Sequence, residues 1–312
     1  VFFLQNTMKD LAKGVKYRAK HVHVIGAGTM GGDIAAWCAL RGFQVTLQDQ
    51  SPECIAPAIK RAHKLFKKKL KKPRLIEQAM DRMQADVSGL GVKGADVIIE
   101  AIFENLEVKQ EVFKKVEQNA KADAILATNT SSIPLEEIAT ILQNPQRLIG
   151  IHFFNPVAKM PLVEIVRTTS TSNELVVRAA AFIKAIARSP LPVLSSPGFL
   201  VNRVLMPYLG EAMKLYEEGV DKILIDKVAK RFGMPMGPIA LADSVGLDIC
   251  LSVAKNLTSH FGGEVSPKLD EMVKQGLLGV KSGKGFYEYD KKGKKVGSSS
   301  SGSDSSKTDI PV

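Results

Sequence analysis

Residues 22–31, VHVIGAGTMG, limit what this chain can fold into more than any other part of it. An apolar run enters Gly26-x-Gly28-x-x-Gly31, the residues beyond have helical spacing, and the next apolar run ends on an acid, Asp49. A glycine-rich turn alone is common. Strand, glycine turn, helix, strand and acid in this order, with Asp49 placed 21 residues after Gly28, describe a βαβ unit that holds a dinucleotide. Gly26 permits the tight turn, Gly28 lets the backbone approach a pyrophosphate, and Gly31 lets the helix pack close to the strand. Thr29 and Met30 lie between them, where the N-terminal amides of the helix face the anion. Asp49 can accept hydrogen bonds from the adenosine ribose and would repel a 2′-phosphate, and no arginine follows it closely. The expected cofactor is therefore NAD rather than NADP.

Apolar runs of strand length recur along the first two thirds of the chain. Segments 21–25, 43–48, 96–102, 124–127 and 148–153 read as buried parallel strands, 161–166 as a further strand and 192–194 as a short one. Helical patterns over 31–40, 52–70, 106–119 and 134–142 separate them. The expected class is α/β, a Rossmann-type doubly wound, mostly parallel sheet. From Pro197 and Gly198 the pattern turns helical, with breaks at Gly233, Pro235, Gly237, Pro238, Gly262 and Gly263. The organisation expected is a linker helix over 1–17, a nucleotide-binding domain over 18–195, an all-helical domain over 196–289 and a disordered Ser-rich tail over 290–312.

With 312 residues, 45% of them hydrophobic, the chain is long enough for two cores. No run approaches the roughly 20 apolar residues of a membrane helix, and the opening VFFLQNTMKDLAKGV does not read as a signal peptide. Cys38, Cys54 and Cys250 are scattered, which argues against a disulfide framework or a zinc site. The net charge of +11 is concentrated in residues 60–74, KRAHKLFKKKLKKPR. Such a run is commonly a solvated helix face. The sharper reading makes Lys60, Lys64 and Lys68 a docking surface for a phosphate-rich ligand. Nucleic acid is disfavoured, because no nucleic-acid-binding motif accompanies the lysines.

Oxidising an alcohol by hydride transfer requires a base for the hydroxyl proton, and histidine suits neutral pH. Of five histidines, His63 lies in the lysine-rich helix, His260 precedes a Gly–Gly break, and His21 and His23 belong to the first strand. His152 ends an apolar strand in IHFFNP, where ligands of open α/β sheets collect. Glu164 is set inside LVEIV, where a carboxylate must be paired, protonated or turned to one face. Two costly polar groups in neighbouring apolar strands are expected to satisfy each other, fixing the imidazole as a general base requires.

At this point the sequence resembles a known family. GAGTMG, ATNTSS at 127–132, IHFFNPVAKMPLVEIV at 151–166, PGFLVNRVL at 197–205, FGMPMGPIALADSVGLD at 232–248 and KSGKGFYEY at 281–289 are similar to the 3-hydroxyacyl-CoA dehydrogenases. The resemblance covers roughly residues 18–289. It implies an NAD-dependent oxidation of L-3-hydroxyacyl-CoA to 3-ketoacyl-CoA in fatty-acid β-oxidation. His152 would be the general base and Glu164 its partner. Ser131 would bond the substrate's 3-oxygen or the nicotinamide region, and Asn202 would reach back to the substrate. Glu104, Lys109 and Asn155 match cofactor-contacting positions, although Glu104 and Lys109 alone read as ordinary surface residues. The basic helix then gains coenzyme A phosphates as its expected ligand.

The opening residues, with apolar Phe2, Phe3 and Leu4, resemble the linker that joins an enoyl-CoA hydratase domain to the dehydrogenase in multifunctional relatives. The chain thus reads as a fragment whose full-length form carries that domain and a second helical domain, and whose isolated form pairs as a homodimer through 196–289. A bacterial cytoplasmic setting is expected, or a peroxisomal or mitochondrial one in a eukaryote. Two other readings stay open. A related dehydrogenase acting on a free hydroxy acid commonly has a lysine where this chain has Asn202, and lacks HFFNP. A non-catalytic NAD-binding protein, like the lens crystallins related to this family, would bind without turnover.

Overall fold

The computed structural model describes residues 6–296 except Lys9 and Lys16. Phe2, Phe3 and Leu4, and the tail from residue 297, lie outside the described residues. The chain divides at Leu200 into two compact units.

The first unit is one eight-stranded sheet in the order β3-β2-β1-β4-β5-β6-β7-β8. Its strands are β1 His21–Ile25, β2 Gln44–Gln48, β3 Met83–Ala85, β4 Val97–Glu100, β5 Ile125–Thr128, β6 Leu148–Phe153, β7 Leu162–Arg167 and β8 Ser189–Leu194. All neighbouring pairs are parallel except β6 and β7, which are antiparallel. Strand order reverses between β1 and β4, the topological switch point at which such sheets bind ligands. The inner strands are apolar on both faces because helices cover both. Ile99 and Ala127 join Ile34 of α1 (Thr29–Leu40) and Phe66 of α2 (Pro52–Lys69) in one core. Ile98 and Leu126 join Phe113 of α4 (Leu106–Asn119) in the other.

Three elements were not among those expected: β3, α3 (Pro73–Asp81) and α6 (Asn173–Ala185), the helix after α5 (Leu135–Ala139). β3 spans only three residues, two of them exposed, too short for a period to register. β8 is longer than expected, and its Pro190 and Pro192 are tolerated because it pairs with β7 alone, at the sheet edge. Residues 6–8 and 10 are helical, and Leu11 and Ala12 pack against the sheet core.

The second unit holds α7 Val201–Glu217, α8 Lys222–Phe232, α9 Pro238–Val245, α10 Leu247–Phe261 and α11 Pro267–Lys274. Two buried acids, Asp226 and Asp243, tie separate segments of the unit together. Asp243 accepts the amides of Phe286 and Tyr287 and the Tyr289 hydroxyl, each at 2.9 Å. Asp226 accepts the Ile239 amide and the Tyr287 hydroxyl, both also at 2.9 Å. A Cβ on Gly285 would lie 2.1 Å from Asp243 Oδ1, so close packing requires glycine there. The disordered tail expected from residue 290 needs correction over its first residues. Asp290 Oδ1 accepts the amides of Lys292 and Lys294, and the Lys295 ammonium lies 3.2 Å from the Tyr287 ring centroid. These contacts fold 290–296 back onto the unit.

Candidate active site

The glycine turn connects β1 to α1. Gly26 has φ +102° and donates its amide to the Gln48 carbonyl at 2.8 Å. A Cβ on Gly31 would stand 1.9 Å from the Gly26 carbonyl oxygen, which no side chain tolerates. A Cβ on Gly28 would meet nothing within 4 Å, so the space beside that backbone is open to a ligand. α1 begins at Thr29, two residues earlier than its spacing suggested, and Met30 and Gly31 complete its first turn. That turn carries no acid and no side-chain cap, which suits an anion. Asp49, just beyond β2, accepts the Ala27 amide on Oδ2 at 2.7 Å and so sits against the turn. Arg61, which sequence reasoning passed over, donates to the Gly28 carbonyl at 2.7 Å and to Asp33 at 3.3 Å. The open space at Gly28, the free helix end and the anchored Asp49 together fit a dinucleotide.

His152 is the fifth of six residues in β6, and the register places it directly opposite Glu164 on β7. Because β7 runs antiparallel, its beginning reaches the edge where the parallel strands end. His152 is 6% exposed and Glu164 fully buried. Nδ1–H of His152 donates to Glu164 Oε2 at 2.8 Å, which leaves Nε2 with its lone pair. The other oxygen, Oε1, accepts the Leu200 amide at 3.0 Å. That amide is presented by a turn in which Gly198 and Phe199 have φ +72° and +50°. Positive φ strains a phenylalanine, and burial holds it there. Phe199 is 2% exposed, packs with Leu135 and Val166, and meets the His152 ring edge-on at 5.6 Å.

A second polar cluster lies at the ends of β4 and β5. Glu104 Oε1 accepts the Ser131 amide at 2.7 Å, the Ser131 hydroxyl at 3.1 Å and the Thr130 hydroxyl at 2.8 Å. Lys109 is not the surface residue its sequence setting suggested. It is 1% exposed, and its ammonium contacts Glu100 Oε1 at 2.7 Å and Glu104 Oε2 at 3.2 Å. Burial alone would raise the Glu104 pKa, but the Lys109 charge, the Ser131 amide and the Thr130 hydroxyl outweigh it and hold the carboxyl below the ordinary range. Asn129, also passed over, accepts the Phe153 amide at 2.9 Å and pins the end of β6.

The remaining candidates divide. Asn155 is exposed just beyond β6, and Asn202 is the second residue of α7, half-buried, in the other unit. Lys60, Lys64 and Lys68 are exposed on α2. His23 is a packed sheet residue: it is buried, with Nδ1 2.7 Å from Thr46 Oγ1 and Nε2 2.9 Å from Gln48 Oε1.

A glycine turn at the switch point, with an oriented imidazole at the neighbouring strand ends, defines the class: an NAD-binding dehydrogenase unit followed by a helical one. Family models place it more closely. The chain belongs to the 3-hydroxyacyl-CoA dehydrogenase family, with the NAD-binding domain matched over residues 21–196 and the C-terminal domain over 198–289. It is 39% identical, over 94% of its length, to the fatty acid oxidation complex subunit alpha of Ectopseudomonas oleovorans, and spans 43% of that relative. FadB2 of M. tuberculosis superposes with a TM-score of 0.83 at 34% identity, covering 87% of this chain and 99% of that one. The (S)-3-hydroxybutyryl-CoA dehydrogenase PaaH1 of Ralstonia eutropha gives a TM-score of 0.81 at 35% identity, covering 88% and 100%.

Proposed function

We propose that this chain oxidises L-3-hydroxyacyl-CoA to 3-ketoacyl-CoA as part of a fatty-acid oxidation enzyme. The observation that carries the reading is the buried His152–Glu164 pair, held in one orientation beside the cofactor edge of the sheet. When bound, NAD supplies the acceptor for the hydride leaving C3. Nε2 of His152 takes the hydroxyl proton as that hydride departs, and Glu164 holds the ring and stabilises the imidazolium that forms. In the reverse direction the same Nε2 returns the proton to the carbonyl oxygen. Ser131, oriented by Glu104, donates a hydrogen bond to the substrate's 3-oxygen or to the nicotinamide region, and Asn202 adds a further contact to the substrate. Glu104, Lys109 and Asn155 serve the cofactor side.

The CoA phosphates are assigned to the exposed face of α2. Lys68→Glu with Lys69→Glu is expected to raise the KM for an acyl-CoA and to flatten its dependence on salt. An unchanged KM would leave α2 as a solvated face. The curated relatives are longer than this chain, which supports a multifunctional protein with a hydratase domain and a second helical domain. Those relatives are bacterial, which supports a bacterial cytoplasmic setting. No helix among the described residues is long and apolar enough to cross a membrane.

The reading is tested by offering L-3-hydroxybutyryl-CoA and free 3-hydroxybutyrate in parallel, each with NAD and with NADP. Turnover confined to the thioester with NAD is expected. Equal use of the free acid, or a preference for NADP, would overturn the assignment.

A further inference from the structure

We propose that Glu100, the last residue of β4, is a positioning residue that sets the Ser131 loop; the inference rests on the function proposed above. Glu100 is fully buried, and the contacts of its carboxylate with Lys109 and Thr128 lead toward that loop. Oε1 accepts the Lys109 ammonium at 2.7 Å and the Ile102 amide at 2.8 Å. Oε2 accepts the Thr128 hydroxyl at 2.7 Å.

Two chains of contacts run on from there. Along the first, Lys109 passes to Glu104 at 3.2 Å, and Glu104 takes both the amide and the hydroxyl of Ser131. Along the second, the Thr128 hydroxyl, having donated to Glu100, accepts the Thr130 amide at 3.2 Å, and Thr130 donates to Glu104 at 2.8 Å. Both chains begin at Glu100 and close on the Glu104 carboxylate that orients Ser131, the first at Oε2 and the second at Oε1.

The Glu100 carboxylate lies 2.7 Å from the Lys109 ammonium, the Glu104 carboxylate 3.2 Å, and the Ile102 carbonyl accepts from Lys109 at 3.4 Å. Three acceptors thus face the three donors of an ammonium that is 1% exposed. Lys109 consequently acts through Glu104 rather than by reaching a ligand. Glu100 also lies next to the glycine turn: the carbonyl of its neighbour Ala101 is 2.6 Å from where a Gly26 Cβ would stand. One buried carboxylate therefore braces the loop that carries Ser131, in a strand whose next residue packs against the turn that receives the cofactor.

The test is a double-mutant cycle of Glu100→Gln with Ser131→Ala, read as the Kd for NADH by fluorescence and as kcat/KM for acetoacetyl-CoA reduction. Glutamine keeps the shape and one acceptor oxygen but removes the charge that fixes Lys109. Glu100→Gln is expected to lower kcat/KM about tenfold and to weaken NADH severalfold in the Ser131 protein, but to change either less than about twofold in the Ser131→Ala background. Equal losses in both backgrounds, or no loss in the first, would overturn the proposal, because a merely structural acid does not distinguish them. If Glu100→Gln fails to fold, Thr128→Val breaks only the second chain and is held to the same comparison. Wild-type turnover tests the proposed function by itself; should it be absent, the NADH cycle still decides the role of Glu100.

Discussion

At the scale of single residues, the site depends on which nitrogen of His152 carries the proton. The Glu164 carboxylate can only accept, so it holds the proton on Nδ1 and leaves Nε2 as the base. Glu164→Gln offers an amide that can donate to Nδ1 instead, moving the proton to Nε2. The expected loss is about 10²- to 10⁴-fold in kcat, with little change in the KM for acyl-CoA, read by steady-state kinetics. Glu104 makes a different prediction. Its carboxyl lies below its ordinary value in the fold, so its ionised form favours the folded state at every pH above the unfolded value. That advantage is lost as pH falls through the lower folded value. The stability gap between wild type and Glu104→Gln should hold constant near neutrality and close in acid, below about pH 4, in denaturant titrations. A gap that widened in acid would contradict the assignment. Residue by residue, His152 and Glu164 were legible because each is a polar group in an otherwise apolar strand. Glu100 carries the same signal, an acid closing VIIE, and could have been found by it. Thr128, Asn129 and Thr130 could not, since polar residues at strand ends are ordinary and only the folded sheet aligns them.

At the scale of elements, the glycine turn and the β6–β7 pair create the site. The turn was readable because its spacing couples a strand, a helix and an acid, and the structure adds the physical reason for its last glycine. Gly31→Ala would drive a methyl into the Gly26 carbonyl, 1.9 Å away, and the backbone cannot yield without moving α1 off β1. The expected cost is about 2–3 kcal/mol of stability or more, with NADH affinity lost in the same variant; a titration showing wild-type affinity would contradict it. The antiparallel turn of β7 was not legible, since periodicity reports burial and not strand direction. It nonetheless decides the chemistry, because a parallel β7 would carry Glu164 in from the opposite edge. The left-handed Phe199 escaped notice for a related reason. Nothing in PGFL announces positive φ at a phenylalanine, and only its burial beneath His152 explains how the strain is held.

For the whole molecule, the helical unit leaves apolar surface in contact with solvent. Phe232 is 88% exposed at the end of α8, with Leu224 and Val228 two turns and one turn before it at 48% and 49%. An apolar stripe at this spacing supports self-association of the isolated chain, and sedimentation at micromolar concentration is expected to give a dimer. A monomer would show that the stripe is tolerated without a partner. The two-unit division was visible as a change from alternating strands and helices to helices alone, whereas the ordered residues 290–296 were hidden because Lys and Gly without periodicity read as disorder.

The most direct test of the account follows NADH consumption with acetoacetyl-CoA in wild type and His152→Ala. Turnover by the wild type, falling at least about 10²-fold in the variant while its NADH affinity stays within about twofold, is the predicted result. A variant that turns over at the wild-type rate would remove His152 from the chemistry, and a wild type that binds NADH without consuming it would contradict the assignment of the chain as a dehydrogenase.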